Sequence, residues 1–417
     1  MEQFLLRGGA RLAGRVRVSG AKNAALPLMA ASLMSRSQCV IENIPDLEDV
    51  RVMGEVLEQL GAKLKRQDSA LIIDTSHVNS VEVPENLTRK MRASNLVMGA
   101  LIARFGEARV AQPGGCAIGS RPMDLHIKGF KNLGCMVNEK HGSLLAQAEK
   151  LEGRELLLDF PSVGATENLM MAACMAEGTT IIRNAAREPE ILDLQNFLNR
   201  MGARIRGAGL DTIRIEGVRY LDGTRHEVIP DRIEAGTMMV AAAITGGDIF
   251  IENVIIEHLE PLSAKLSEAG IEVLPYPGAI RVRANSRPDA VDIKTMPYPG
   301  FPTDMQPQIM ALLSLASGSS LLVETIFENR FMHVSELRRM GADIRIEGRV
   351  AIIRGKPALQ GAVVAASDLR AGAALILAGL AADGETRVEN IYHLDRGYER
   401  IEQKLSQLGA LISRIEN

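Results

Sequence analysis

The sequence predicts a two-domain α/β repeat protein with apolar helices turned inward and sheets and amphipathic helices outside. Three observations carry this. A helix ending in an apolar residue and then Gly recurs six times, as LEQLGAKL, FKNLGCMV, LNRMGARI, LSEAGIEV, LRRMGADI and LSQLGALI. Its glycines, Gly61, Gly134, Gly202, Gly270, Gly341 and Gly409, are separated by 73, 68, 68, 71 and 68 residues, a period that marks a repeat architecture. With 417 residues the chain is also too long for one ordinary core, so copies one to three and four to six make two similar domains.

Each copy opens with a helix of small residues: AALPLMAASLM, NLVMGALIARF, NLMMAACMAEG, GTMMVAAAITG, QIMALLSLASG and AALILAGLAADG. These are apolar nearly all round, the pattern of a buried helix. A short strand with a β-branched core follows, as in CVIEN, TIIRN, IFIEN and TRVEN. A second, amphipathic helix then ends at the repeat Gly, the expected left-handed stop. One or two alternating strands close the copy, as in AKLKRQ with ALIIDTS and ADIRIEG with RVAIIRG. The break between the domains falls near His226–Asp231 (HEVIPD).

Composition narrows the function classes. Hydrophobic residues make up 46% and charged residues 24%, a globular mixture; with no Trp and 3% aromatics, the core must be built from Ala, Val, Ile, Leu and Met. A net charge of -3 argues against a general nucleic-acid binder. The first residues, MEQFLLRGGARLAGRVRV, carry no apolar signal-type core, and the longest apolar run, Ala371 to Ala382, is too short to span a bilayer. Neither a membrane nor a nucleic-acid partner is expected. Four cysteines make no disulfide framework, so a reducing cytoplasm is the expected compartment.

Equivalent positions at the start of the six first helices differ chemically. They are Lys22, Arg92, Gly164, Asp231, Asp304 and Arg370, each 37 to 42 residues before its repeat Gly. A cation there opposes the helix dipole at about 0.3–1 kcal/mol, where a structural sequence would place Ser, Thr or Asp. Three such cations fit the holding of an anion by side chains and free N–H groups together. Asp231 and Asp304 read instead as caps or first-turn acids. Arg330 and Arg396 stand in the stretches leading into second helices, and Arg121 in the same region of copy two.

Copy two is the longest, and its extra length surrounds PGGCAIGSRP. Cys39, Cys135 and Cys174 sit in apolar, periodic surroundings and read as core. Cys116 lies among glycines on a surface loop, with Arg121 near enough to favour its thiolate. His126 is available as a thiol partner, but no protease pattern surrounds it. The chain holds no His-Glu-x-x-His, Cys-x-x-Cys, Walker A or Gly-x-Ser-x-Gly motif, and neither a metal nor a cofactor is expected.

Taken together, SGAKNAALP, PGGCAIGSRPMDLH, SVGATEN, AAREPEI, FPTDMQ, ENRFMHV, SDLRA and YHLDRGYERIE resemble the UDP-N-acetylglucosamine enolpyruvyl transferases of the EPSP synthase family, from about residue 7 to the C-terminus. The resemblance implies two inverse (inside-out) α/β barrels of three βαβαββ repeats each, joined by a double-stranded hinge. One domain comprises residues 1–21 and 230–417, and the other residues 22–229 with the Cys116 loop. Substrates would lie between them.

It also implies transfer of the enolpyruvyl group of phosphoenolpyruvate to the 3′-hydroxyl of UDP-N-acetylglucosamine, the step that commits sugar nucleotide to peptidoglycan. Such addition and elimination needs an acid, a base and cations. Cys116 matches the family's general acid, the residue alkylated by fosfomycin. Asp304 matches the residue at the sugar hydroxyl, the candidate base. Lys22, Asn23, Arg121 and Arg396 match the phosphoenolpyruvate site, with Arg330 and Arg370 as supporting cations. Arg92, Arg121, Pro122, Met123, Asp124, Leu125, Ser162, Val163, Gly164, Asp304 and Ile326 match the UDP-sugar site.

Two departures stand out. Phe160 and Pro161 precede Ser-Val-Gly where the family often has Lys, and Tyr298 stands where a His occurs. Rival readings are a 5-enolpyruvylshikimate 3-phosphate synthase, a catalytically retired UDP-sugar-binding regulator, and an RNA-phosphate enzyme. The absent shikimate-type phosphate motif, the intact Cys116, Asp304, Lys22 and Arg396, and the acidic balance oppose them in turn. Nothing in the sequence sets an oligomeric state.

Overall fold

Helices that are apolar on every side need cover on every side, and the structure supplies it. The computed structural model describes residues 2–111, 118–119, 123–140 and 142–416. The chain divides into two compact units. One comprises Met1–Ser19 and Pro230–Asn417, the other Gly20–Cys116 and Arg121–Ile229, with Ile118 and Gly119 grouped in the first.

Among the described residues each unit holds three four-stranded sheets built to one plan. A short edge strand runs parallel to a central strand, which pairs antiparallel with a third, and that with a fourth. In the second unit one sheet runs Glu155–Leu157, Thr179–Arg183, Thr212–Glu216, Arg204–Arg206. In the first unit its counterpart runs Ile293–Lys294, Ser319–Val323, Val350–Arg354, Asp343–Glu347.

The ends of the units are completed by distant chain. Ala13–Arg17 is the edge strand beside Asp248–Glu252, while Arg225–Glu227 is the edge strand beside Gln38–Glu42. Glu2–Arg7 lies between Glu385–Glu389 and Leu411–Glu416. Repeat periodicity alone did not reveal this exchange, because the exchanged strands lie more than two repeats from their partners along the chain.

The small-residue helices are buried over nearly their whole length. In the first unit Arg232–Ile244, Gln306–Leu313 and Leu369–Ala381 pack on one another. In the second unit Val97–Phe105 packs on both Lys22–Ser32 and Val163–Ala173. The amphipathic helices end as the spacing predicts: Gly61, Gly134, Gly202, Gly270, Gly341 and Gly409 all have φ between 81° and 109°. Cys39, Cys135 and Cys174 are buried, and burial raises each thiol pKa, to about 11 for Cys135 and about 12 for Cys174.

The unit boundary differs from the sequence expectation at the first crossing. Gly20 and Ala21 belong with the second unit, because Ala21 N–H donates to Ile229 O at 2.8 Å and a Cβ on Gly20 would lie 1.8 Å from Asn43 O. Ile118 groups with the first unit, where its carbonyl accepts from Asn329 N–H at 3.2 Å.

Close approach of two inner helices depends on Gly99. Its N–H donates to Asn168 Oδ1 at 2.8 Å, and a Cβ there would lie 2.2 Å from Asn168 O. Gly99→Ala gains about 1 kcal/mol of helix propensity but forces the helices apart, at about 1–3 kcal/mol. The expected outcome is a lower thermal midpoint. A midpoint unchanged or raised would mean that the contact is not tight.

Candidate active site

The first unit gathers the charged residues of three repeats. Asp304 sits in a single 3-10 turn, Thr303–Met305, that leads into the inner helix Gln306–Leu313. Its Oδ1 accepts from Arg330 Nη2 at 3.0 Å, and its Oδ2 accepts from Arg370 Nη2 at 2.9 Å and Nε at 3.2 Å. The two arginine side chains are only 2% and 5% exposed, against 27% for Asp304. Burial opposes the Arg370 charge, but Asp304, Tyr398 and Asp231 outweigh it and raise its pKa. Arg370 also lies over the Tyr398 ring and Arg330 over the Phe327 ring, at 5.4 and 5.2 Å.

This overturns the cap reading of Asp304, whose side chain caps no helix N–H. Asp231 does cap, accepting from Ile233 and Glu234 N–H at 2.8 and 3.1 Å. The expectation of a missing cap beside Arg370 is corrected too. Asp368 immediately precedes the helix Leu369–Ala381 and accepts from Arg370 and Ala371 N–H at 2.9 and 3.1 Å. Buried donors remain: among the described residues, Arg330 Nε and Nη1 and Arg370 Nη1 have no hydrogen-bond partner. Such groups suit a site built for an anion. Arg396 is half-buried at the end of the short helix Tyr392–Asp395. Burial, and then Arg396, lower the pKa of His393.

The second unit brings together three stretches. The helices Asp124–Asn132 and Val163–Ala173 pack so closely that a Cβ on Gly129 would lie 2.4 Å from a Leu169 methyl. Met123, Asp124 and Leu125 stand at the start of the first of these helices; at the start of the second, Ser162 Oγ accepts from Ala165 N–H at 3.4 Å, followed by Val163 and Gly164. His126 bridges the groups, since a Cβ on Gly164 would lie 3.4 Å from its Nε2. Arg92, half-buried at the start of Arg92–Leu96, acts electrostatically on the same ring.

Lys22 begins its helix and pairs with Asp49 at 3.1 Å, the side chains 12% and 5% exposed. Asn23 beside it is exposed. Ile326 is half-buried, its N–H bonded to Glu324. Phe160, in the place of the family's Lys, is 45% exposed. Cys116, Arg121 and Pro122 lie outside the described residues.

Sequence reasoning missed Asp49, which carries no local signal. It weighed His126 only as a thiol partner, although MDLH contained it. It also missed Asp368, inside the quoted SDLRA.

A profile of the EPSP synthase (3-phosphoshikimate 1-carboxyvinyltransferase) family matches residues 6–405, and the chain belongs to this family. Within it, the chain is 57% identical over 412 residues to UDP-N-acetylglucosamine 1-carboxyvinyltransferase 1 of Caldanaerobacter subterraneus subsp. tengcongensis, covering 99% of both chains. It is 59% identical to UDP-N-acetylglucosamine 1-carboxyvinyltransferase 1 of Carboxydothermus hydrogenoformans, over 100% of this chain and 99% of that one. Among solved structures it matches the enolpyruvyl transferase NikO from Streptomyces tendae with a TM-score of 0.90 at 27% identity, over 99% of this chain and 98% of the other. EPSP synthase from Acinetobacter baumannii shares the fold, with a TM-score of 0.78 at 18% identity over both whole chains.

The His126 ring yields a pH prediction. Among the described residues neither ring nitrogen has a hydrogen-bond partner. Burial first, and Arg92 second, lower its pKa from 6.5 to about 4; the Gly164 backbone opposes this without a hydrogen bond of normal geometry. Between those pH values the unfolded chain takes up a proton that the folded chain excludes. This contribution to stability is therefore complete above pH 6.5 and lost as pH falls to about 4, amounting to roughly 3 kcal/mol. The stability difference between wild type and His126→Asn, from urea denaturation, should shrink by that order between pH 7 and 4.5. Taking the difference cancels His333, likewise held low by burial. A constant difference would show that the ring is not held neutral.

Proposed function

We propose that the protein transfers the enolpyruvyl group of phosphoenolpyruvate to the 3′-hydroxyl of UDP-N-acetylglucosamine, releasing phosphate and committing the sugar nucleotide to peptidoglycan. The carrying observation is identity of 57–59% over essentially the full length to enzymes named for that reaction. The similarity to shikimate enzymes extends to the fold, at 18% identity. The cytoplasm fits sugar-nucleotide chemistry, and no helix among the described residues is long and apolar enough to cross a membrane.

In this reading each unit is an inverse α/β barrel, and the chain crossings at Ser19–Gly20 and Ile229–Pro230 form the hinge. Cys116 protonates carbon 3 of phosphoenolpyruvate. Asp304 takes the proton of the attacking hydroxyl as it bonds to carbon 2, and the resulting tetrahedral adduct then loses phosphate from carbon 2 and a proton from carbon 3, which restores the double bond of the enolpyruvyl product. Support for Asp304 comes from its two buried guanidinium partners, which fix both carboxylate oxygens. Arg330 and Arg370 keep further buried donors for an anionic substrate. Lys22, Asn23, Arg121 and Arg396 hold phosphoenolpyruvate. Arg92, the 121–125 stretch, Ser162, Val163, Gly164 and Ile326 hold the UDP-sugar. Fosfomycin alkylates Cys116.

Phosphate release from phosphoenolpyruvate should require UDP-N-acetylglucosamine and stop after fosfomycin treatment. Cys116→Ser should lose most turnover and resist fosfomycin while still binding the UDP-sugar. UDP-sugar binding without any phosphate release by the wild type would point to a retired regulator.

Asp304→Asn should lower kcat by about 10²-fold or more while the fold persists, because the amide oxygen still accepts from one arginine. Asp304→Ala strands two buried guanidinium groups and should cost roughly 3 kcal/mol of stability in addition. Wild-type turnover in Asp304→Asn would remove the base role.

A further inference from the structure

The six-fold plan provides an internal control for each position. In five repeats the residue after the edge strand donates its N–H to the last residue of the central strand: Val228 to Glu42, Leu158 to Arg183, Val18 to Glu252, Thr295 to Val323 and Ala366 to Glu389, all at 3.0–3.1 Å. In four of these the next residue of the central strand's chain is Asn. Asn43, Asn184, Asn253 and Asn390 all turn through the left-handed region, with φ of 53° to 60°. Asn tolerates that conformation. The first three side chains donate back to the carbonyls of Val228, Leu158 and Val18 at 2.8–2.9 Å, stapling edge strand to centre.

In the repeat that contains Asp304 the equivalent residue is Glu324. It lacks the left-handed φ and is 1% exposed. Its staple runs the other way: Oε1 accepts from Thr295 Oγ1 at 3.0 Å. The same oxygen accepts from Ile326 and Phe327 N–H at 2.8 and 3.2 Å, and Oε2 accepts from Thr303 Oγ1 at 2.9 Å. Thr303 adjoins Asp304, and Ile326 begins the short stretch that ends at Arg330. One buried carboxylate thus holds the Thr303 hydroxyl on one side of the Asp304–Arg330 ion pair and the Ile326–Phe327 backbone on the other.

We infer that Glu324 is a positioning residue of the reaction, fixing the aim of Asp304 through Thr303 and the placement of Arg330 through the Ile326–Phe327 backbone. Stapling the edge strand does not require it, since Asn does that in the sister repeats. A carboxylate with four donors is needed to reach two loops at once, and a fully satisfied buried network is rigid. This rests on the assignment of Asp304 as base; displacement of such a group by about 1 Å costs on the order of 10² in rate.

The test uses the full-length protein and the phosphate-release assay. Thr303→Val removes only the hydroxyl that ties the Asp304 turn to Glu324. It should lower kcat at least tenfold, with the calorimetric Kd for UDP-N-acetylglucosamine within about threefold of wild type and the thermal midpoint lowered only by the few degrees, roughly, that one lost donor to a buried carboxylate costs. Thr303→Ser should restore turnover. Glu324→Gln keeps an acceptor at Oε1 and presents an amide to the Thr303 hydroxyl, which can reverse and accept. It should therefore recover most of the rate that Glu324→Ala loses.

Wild-type kcat in Thr303→Val, or loss of rate only in step with the melting temperature, would overturn the positioning role and leave the transferase reading standing. Absence of UDP-sugar-dependent phosphate release from the wild type would overturn both.

Discussion

Burial of the apolar inner helices is the constraint from which the rest of each unit follows. A helix such as Leu369–Ala381, buried from Arg370 through Leu380, has no face to give to water. It must be surrounded by other inner helices and by the covered faces of sheets. Contacts of the inner helices with one another, with strands and with the amphipathic helices meet that demand. Small residues make it possible, because Gly99 and Gly129 let helices approach where any Cβ would collide. The starts of the inner helices are then the places where polar groups from several repeats can meet. Asp304 and Arg370 belong to different repeats, yet they form an ion pair at 2.9 Å.

Electrostatics at these helix starts is settled pairwise. A cation at the positive end of a helix dipole is unfavourable by itself. Lys22 is offset by Asp49, and Arg370 by Asp304 together with the Asp368 cap. Each cation is therefore held in place by an acid partner a few ångströms away. Removing an acid exposes the cost that the pair conceals.

Legibility in the sequence followed the range of the interactions. The six glycine stops were plain because a left-handed C′ residue is a local requirement, and all six have positive φ. The inner helices were plain because being apolar all round is also local. The six helix-start positions were found by counting, and Asp231 caps its helix as its local sequence suggested. Asp304 has the same local look but a different role, since its partners lie 26 and 66 residues further along the chain. His126 and Asp49 escaped for the same reason. The exchanged edge strands were invisible to a period measured along the chain.

The repeats also separate scaffold from chemistry. Where four repeats keep Asn at one turn, the requirement is conformational: a left-handed φ and a donor for the neighbouring carbonyl. Where one repeat substitutes Glu324 and abandons that φ, the donor pattern reverses and two loops are tied down that the other repeats need not hold. Replacing a stapling amide with a buried carboxylate carries a desolvation cost that only a full set of donors offsets. That the set includes Thr303 and Ile326, on either side of the Asp304–Arg330 pair, ties the departure from the repeat plan to the aim of one carboxylate rather than to the stability of the sheet.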